Sequence, residues 1–222
     1  QWLFEDVTFA AGFGAATRYV CWGAGMPDLD NDGWPDIAFV TGNVYPEVEK
    51  HFKDYPHRSP RQVFRNLGNG RFANVSQESG SGVTTPHSSR GCAFGDFDND
   101  GDVDWLVMNM NEPPSLLRND YTGKNNWLKL KTVGAPSNRT GLGARITVTA
   151  GGQTQTQTVL SQSSYYSHDD RRLHFGLGAN GNATQVTVYW PSGKSDTPKN
   201  VAANQILIVK ESGNGIPARK KR

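Results

Sequence analysis

Asp96-Phe97-Asp98-Asn99-Asp100-Gly101-Asp102-Val103-Asp104 places acids at every odd position of a nine-residue run, with glycine sixth. Earlier in the chain the same pattern reads Asp28-Leu29-Asp30-Asn31-Asp32-Gly33-Trp34-Pro35-Asp36. Calcium is a hard cation that takes roughly six to eight oxygens at about 2.3–2.6 Å in flexible geometry. Carboxylates at alternate positions of a tight loop can converge on one such ion. Left without a cation, they repel one another strongly. The expected ligands of the first loop are Asp28, Asp30, Asp32, the carbonyl of Trp34, and Asp36. Those of the second are Asp96, Asp98, Asp100, the carbonyl of Asp102, and Asp104. Gly33 and Gly101 permit the sharp turn, while Asn31 and Asn99 brace it. Magnesium suits such loops less well, because it keeps several waters and demands a near-ideal octahedron. An EF-hand is disfavoured, since neither run has a flanking helix or a glutamate at position 12.

The loops belong to a longer internal repeat. Residues 4–46 align on residues 72–114 without a gap, Phe4 falling on Phe72, Gly12 on Gly80, Gly23 on Gly91 and Pro46 on Pro114. Each copy ends in a related segment, Val63-Phe64-Arg65-Asn66 and Leu116-Leu117-Arg118-Asn119. Short apolar runs after each loop, Ile37–Val40 and Trp105–Met108, read as strands, and Asn69-Gly70 reads as a hairpin turn. The stretch from Glu47 to Pro60 reads as a surface excursion of the first copy. From about Asn125 the pattern changes to alternating strands such as Trp127–Lys131, Ile146–Thr149 and Val186–Trp190. Six or seven strands there predict a small sandwich or barrel, with Gln153–Val159 as an exposed or edge strand. No segment shows convincing helical periodicity.

Composition limits the function classes. Net charge is +2, yet nine of the 21 acids lie in the two loops, where no Lys or Arg occurs, so the remaining surface is basic. Arg219-Lys220-Lys221-Arg222 forms a basic tail, expected to be solvated, with an anionic polymer or membrane surface as its alternative contact. No run of 18 apolar residues is present. Gln1-Trp2-Leu3-Phe4-Glu5 lacks the regions of a signal peptide, which would suit a mature, processed N-terminus. Cys21 and Cys92 form no CxxC; one disulfide or two buried thiols both remain open. The five histidines lack metal-ligand spacing, Ser163 and Ser164 lack a nucleophile-elbow context, and no nucleic-acid-binding motif is present. His168-Asp169-Asp170 is expected to be an exposed turn. Sequons occur at Asn74, Asn138 and Asn182.

These segments carry a family resemblance. Phe94–Asp104 together with Phe64–Phe72 resembles FG-GAP/VCBS-type repeats, the calcium-binding blades of integrin-like β-propellers. Asn126-Trp127-Leu128, Asn138–Arg145, His174–Gly178 and Trp190-Pro191-Ser192-Gly193 resemble the ASPIC/UnbV domain that follows such repeats in the cartilage acidic protein-like family. The resemblance implies an all-β fold, two propeller-type repeats followed by a small β-sandwich or barrel domain. It also implies calcium, a secreted, periplasmic or cell-surface setting, adhesion or matrix contact, and no enzymatic reaction. The first copy departs from the pattern, with Gly25-Met26-Pro27 where Phe-Gly would stand. A propeller needs about four to eight blades to close, and two would leave faces and edges bare. The domains are expected at 1–122, 123–212 and, as a flexible tail, 213–222. The expected function is a non-catalytic, calcium-binding accessory or assembly subunit with other protein chains as partners. A calcium-dependent carbohydrate-binding protein or a polysaccharide-acting enzyme is the alternative.

Overall fold

A computed structural model describes residues 3–212; the basic tail lies outside the described residues. By contact the chain divides into two compact units. The first holds the described residues to Leu29, Trp34–Tyr121 and Gln162–Asp169; the second holds Asp30–Gly33, Thr122–Ser161 and the described residues from Asp170. Two short pieces are thus grouped against chain order, the tip of the first acidic loop and the segment 162–169.

The repeat of the sequence is a repeat of sheets. In the first copy, β1 (Cys21–Gly25), β2 (Ile37–Thr41), β3 (Gln62–Asn66) and β4 (Phe72–Asn74) form an antiparallel sheet in that order. The excursion between β2 and β3 carries one exposed turn of helix, α1 (Val48–His51). A second short helix, α2 (Ser81–Thr84), leads into β5 (Ser89–Gly95), β6 (Asp104–Asn109) and β7 (Ser115–Leu117), again antiparallel in chain order. The second sheet has no counterpart of β4 among the described residues.

Period-two alternation decides what each sheet buries. Ala38, Val40 and Val63 of the first sheet share one core with Cys92, Phe94, Trp105 and Val107 of the second. On the other face of the first sheet, Phe39 stacks on Phe64, with ring centroids 5.9 Å apart. Phe13, from the segment before β1, lies 4.9 Å from the Phe64 ring and 5.0 Å from that of Phe72. The Phe72 N–H donates to the Ala11 carbonyl at 2.8 Å. Gly12 holds φ +101°, and a methyl group there would run into the Phe72 carbonyl. Glycine at this position therefore lets the segment lie close against the sheet.

Arg61, 1% exposed, sits inside the first unit. Its guanidinium donates to the Gly82 carbonyl, to Asn109 Oδ1 at 3.2 Å and to Ser115 Oγ at 2.8 Å. Burial pulls its pKa down, and the nearby Glu112 charge partly restores it. Cys92 is buried and Cys21 exposed; both are free thiols.

The second unit comprises β8 (Asn126–Val133), β9 (Arg145–Ala150), β10 (Gln153–Thr158), β11 (Leu173–Gly178), β12 (Asn182–Tyr189), β13 (Ser195–Asp196), β14 (Lys199–Ala202) and β15 (Gln205–Lys210). One sheet runs β10-β9-β12-β13, with β14 also paired to β12; the other runs β11-β8-β15. The β15–β8 pair is parallel and the remaining pairs are antiparallel. Gly151 and Gly152, at φ +55° and +84°, make the tight hairpin between β9 and β10. Leu128, Leu130, Phe175 and Val209 from one sheet and Ile146, Val148, Val186 and Val188 from the other fill a single core. Two open sheets over one core make a sandwich rather than a closed barrel.

β10 is an edge strand, as its sequence predicts, but its glutamines are not idle. Threonines face solvent while Gln153, Gln155 and Gln157 turn inward. Gln155 Nε2 donates to the Gly176 carbonyl at 2.6 Å, and Gln157 Nε2 to that of His174 at 2.5 Å. Alternate residues of β11 present these carbonyls away from β8. Side-chain amides thus satisfy acceptors that a neighbouring strand would otherwise meet.

Candidate metal centres

Both acidic loops connect the first two strands of a sheet, β1 to β2 and β5 to β6. In each, the fourth residue adopts a left-handed conformation, Asn31 at φ +58° and Asn99 at +64°. Gly33 and Gly101 follow at φ +91° and +101°. Asn tolerates this region better than most residues, and glycine enters it freely. The chain therefore coils tightly enough to bring alternate side chains together.

The last aspartate of each loop is a clasp. Asp36 Oδ2 accepts the Leu29 N–H at 3.0 Å, and its Oδ1 accepts the Asn66 N–H at 2.8 Å. Asp104 repeats the arrangement, with Oδ2 on the Phe97 N–H and Oδ1 on the Asn119 N–H, both at 2.9 Å. Both aspartates are 2% exposed. Asn66 Nδ2 donates to the Pro35 carbonyl at 2.9 Å, and Asn119 Nδ2 to that of Leu29 at 2.8 Å. These two asparagines were not among the residues expected at the sites. Their signal was the matching ends of the two copies, Arg65-Asn66 and Arg118-Asn119.

Within this frame, carboxylate oxygens of Asp28, Asp30 and Asp36 lie within 4.8 Å of one another, as do those of Asp96, Asp98 and Asp104. The same three positions converge in both copies. Asp28 and Asp96 are buried and Asp30 is half-buried, whereas Asp98 is exposed. Asp32 and Asp100 stand outside these triplets. The Asp32 N–H points back to Asp30 Oδ1 at 3.4 Å, and Asp100 Oδ1 accepts the Asp102 N–H at 2.9 Å. Trp34 is 42% exposed, and its ring packs over Gly68.

The electrostatics of the second loop are strained. Burial, then the neighbouring Asp100 charge, pushes the Asp102 carboxyl up to about 6. Burial likewise raises Asp104, against the hydrogen bonds from Asn119 and Phe97. A divalent cation among these oxygens would offset both effects. The donors are all oxygen, the chemistry that a hard cation selects.

The other polar candidate resolves differently from its expectation as an exposed turn. His168, Asp169 and Asp170 are half-buried. Asp169 Oδ1 accepts the Phe94 N–H at 2.8 Å, and Asp170 pairs with Arg172 Nη2 at 2.5 Å. Desolvated backbone needed these acceptors, so the segment is half-buried where its polarity alone suggested solvent.

Comparison with known proteins agrees with this architecture. Residues 28–107 match the family described as FG-GAP-like repeat, and residues 134–215 match ASPIC and UnbV. Over 175 residues the chain is 29% identical to Cartilage acidic protein 1 of Xenopus tropicalis. That alignment covers 73% of this chain and 26% of the relative, so the chain spans about a quarter of that protein's length. Both parts of the resemblance read from the sequence are borne out.

Proposed function

We propose that this chain is a non-catalytic, calcium-binding extracytoplasmic module that works as a structural or assembly subunit. The observation that carries the reading is the pair of matching carboxylate triplets, each clasped by a buried aspartate. In this reading Asp28, Asp30, Asp32, the Trp34 carbonyl and Asp36 hold one ion. Asp96, Asp98, Asp100, the Asp102 carbonyl and Asp104 hold the second. Calcium supplies positive charge that lets these acids stay ionised and close together. The protein's part is to fix the loop ends, through Asn66 and Asn119.

A structural role is supported by how two acids outside the loops are used: Asp169 and Asp170 are committed to a backbone N–H and an arginine. An extracytoplasmic setting is supported by the relative whose name places it in cartilage. Among the described residues no helix is long and apolar enough to cross a membrane. Other protein chains are the proposed partners, and the basic tail is proposed to meet anionic polymer or membrane surface.

Melting the protein in excess calcium and in EDTA tests the reading. A ligand that binds only the native state raises its stability, so the transition is expected to fall in EDTA and recover when calcium is restored. An identical transition in both buffers would refute calcium binding.

A further inference from the structure

The two acidic loops share a backbone path but not their surroundings. Asn31 and Asn99 make the same left-handed turn at the tip, with φ +58° and +64°. Asn31 is 1% exposed, and Asp30 and Asp32 beside it are half-buried, whereas Asp98, Asn99 and Asp100 are all exposed. The tip of the first loop, Asp30–Gly33, belongs to the second unit, and residues of that unit hold it. His174 Nε2 lies 2.6 Å from Asn31 Oδ1, an acceptor, so this ring nitrogen carries a proton. Gly178, at the end of β11, donates its N–H to the Asn31 carbonyl at 2.8 Å. Asn125 Nδ2 donates to the Asp30 carbonyl at 2.8 Å, and Gln153 Nε2 to that of Gly33 at 2.9 Å. Trp127 stacks on the His174 ring, with centroids 6.1 Å apart, which fixes the plane of the imidazole.

We propose that the two calcium sites are unequal, and that His174 is the positioning residue that makes the first the tighter of the two. This rests on the calcium reading above and deepens it. Asn31 is not a ligand; its left-handed turn is what brings Asp28, Asp30 and Asp36 within reach of one ion. A tip already held in that shape loses less conformational freedom when the ion binds. An ion leaving the site must also wait for an opening that breaks the bonds from His174, Gly178, Asn125 and Gln153. The second tip lies in water, so more of its ordering falls to the ion itself. The first site therefore fills first and empties last, while the second follows the calcium concentration of its surroundings.

Calorimetric titration of calcium chloride into the metal-stripped full chain tests this. Two classes of site are expected, separated by more than about tenfold in Kd. Asp98→Ala should remove the weaker class and leave the tighter. His174→Ala should weaken the tighter class by about 10- to 100-fold, the usual effect of losing a hydrogen bond that orients a metal site, and leave the weaker one unmoved. His174→Gln places an amide nitrogen near the same position and should restore most of that affinity, which a merely structural role would not require. Stopped-flow mixing with a fluorescent chelator should show a slow release phase that His174→Ala abolishes. Where His174→Ala does not fold, Gln153→Ala removes a different donor, from an edge strand, and should weaken the same class. Two equal sites overturn the proposal, as does a folded His174→Ala variant whose two affinities are unchanged or fall together. A glutamine that restores nothing overturns the role of His174. Absence of any calcium uptake by the wild type refutes the calcium reading and this inference with it, an outcome told apart from two equal sites by the missing binding heat.

Discussion

Asp104→Asn separates the charge of the second loop from its shape. In the native protein the two carboxylate oxygens accept the N–H groups of Phe97 and Asn119, both at 2.9 Å. The amide keeps one oxygen acceptor and replaces the other with NH₂, so one buried N–H loses its partner at a cost of about 1–3 kcal/mol. Without calcium the substitution also removes a charge that burial already disfavours, which offsets part of that loss. With calcium the balance changes, because the ion loses a carboxylate. At free calcium about a hundredfold above Kd, one site contributes about 2.7 kcal/mol, so two sites contribute roughly 5. The difference in unfolding free energy between calcium and EDTA should therefore fall from roughly 5 to roughly 3 kcal/mol in the variant. Urea denaturation followed by tryptophan fluorescence and far-UV circular dichroism measures both values. Equal calcium increments in variant and wild type would refute the reasoning, because Asp104 would then be a clasp without a ligand role.

The remaining expectations concern the second unit. Gln155→Leu and Gln157→Leu should each destabilise by about 1–3 kcal/mol by leaving a β11 carbonyl without its amide donor; urea midpoints check this, and a change below about half a kilocalorie counts against the inward glutamines. Glu211 tests the electrostatics of the same unit. Burial raises its pKa, but hydrogen bonds from Ser192, Ser137 and Ala135 outweigh that and bring it from 4.5 to about 2. A carboxyl depressed in the folded state stabilises fully above its unfolded pKa, here near 4.5, and that contribution disappears as pH falls toward about 2. It amounts to roughly 3 kcal/mol at most. Glu211→Gln should flatten the stability profile across that acid window, and an unchanged acid limb would contradict the assignment.

Much of the fold was legible because spacing fixes it. Asp-x-Asp-x-Asp-Gly admits few backbone paths, and its recurrence marks the two repeats in the sequence itself. Alternation in Trp127–Lys131 and Val186–Trp190 likewise marked strands of a sandwich. What escaped were contacts between residues distant in the chain. Asn66 and Asn119 look like ordinary strand-end residues until their N–H groups meet Asp36 and Asp104. Gln153–Thr158 reads as two alternating polar types, and nothing local says that Gln155 and Gln157 find carbonyls of β11 while the threonines do not. Residues 162–169 group with the first unit, where Ser164 Oγ accepts the Ala24 N–H and Asp169 Oδ1 the Phe94 N–H, 140 and 75 positions away in the chain.

Arg61 bears on where this protein can be divided. Its side chain springs from the residue just before β3, in the first copy, yet its acceptors belong to Gly82, Asn109 and Ser115, beyond that copy's end. A cut between the copies would remove all three acceptors of this guanidinium and expose to water the apolar core that the copies share. Although the sequence looks modular, neither copy is self-sufficient without the other. Expression boundaries, domain shuffling and grafting should treat the two copies as one indivisible block.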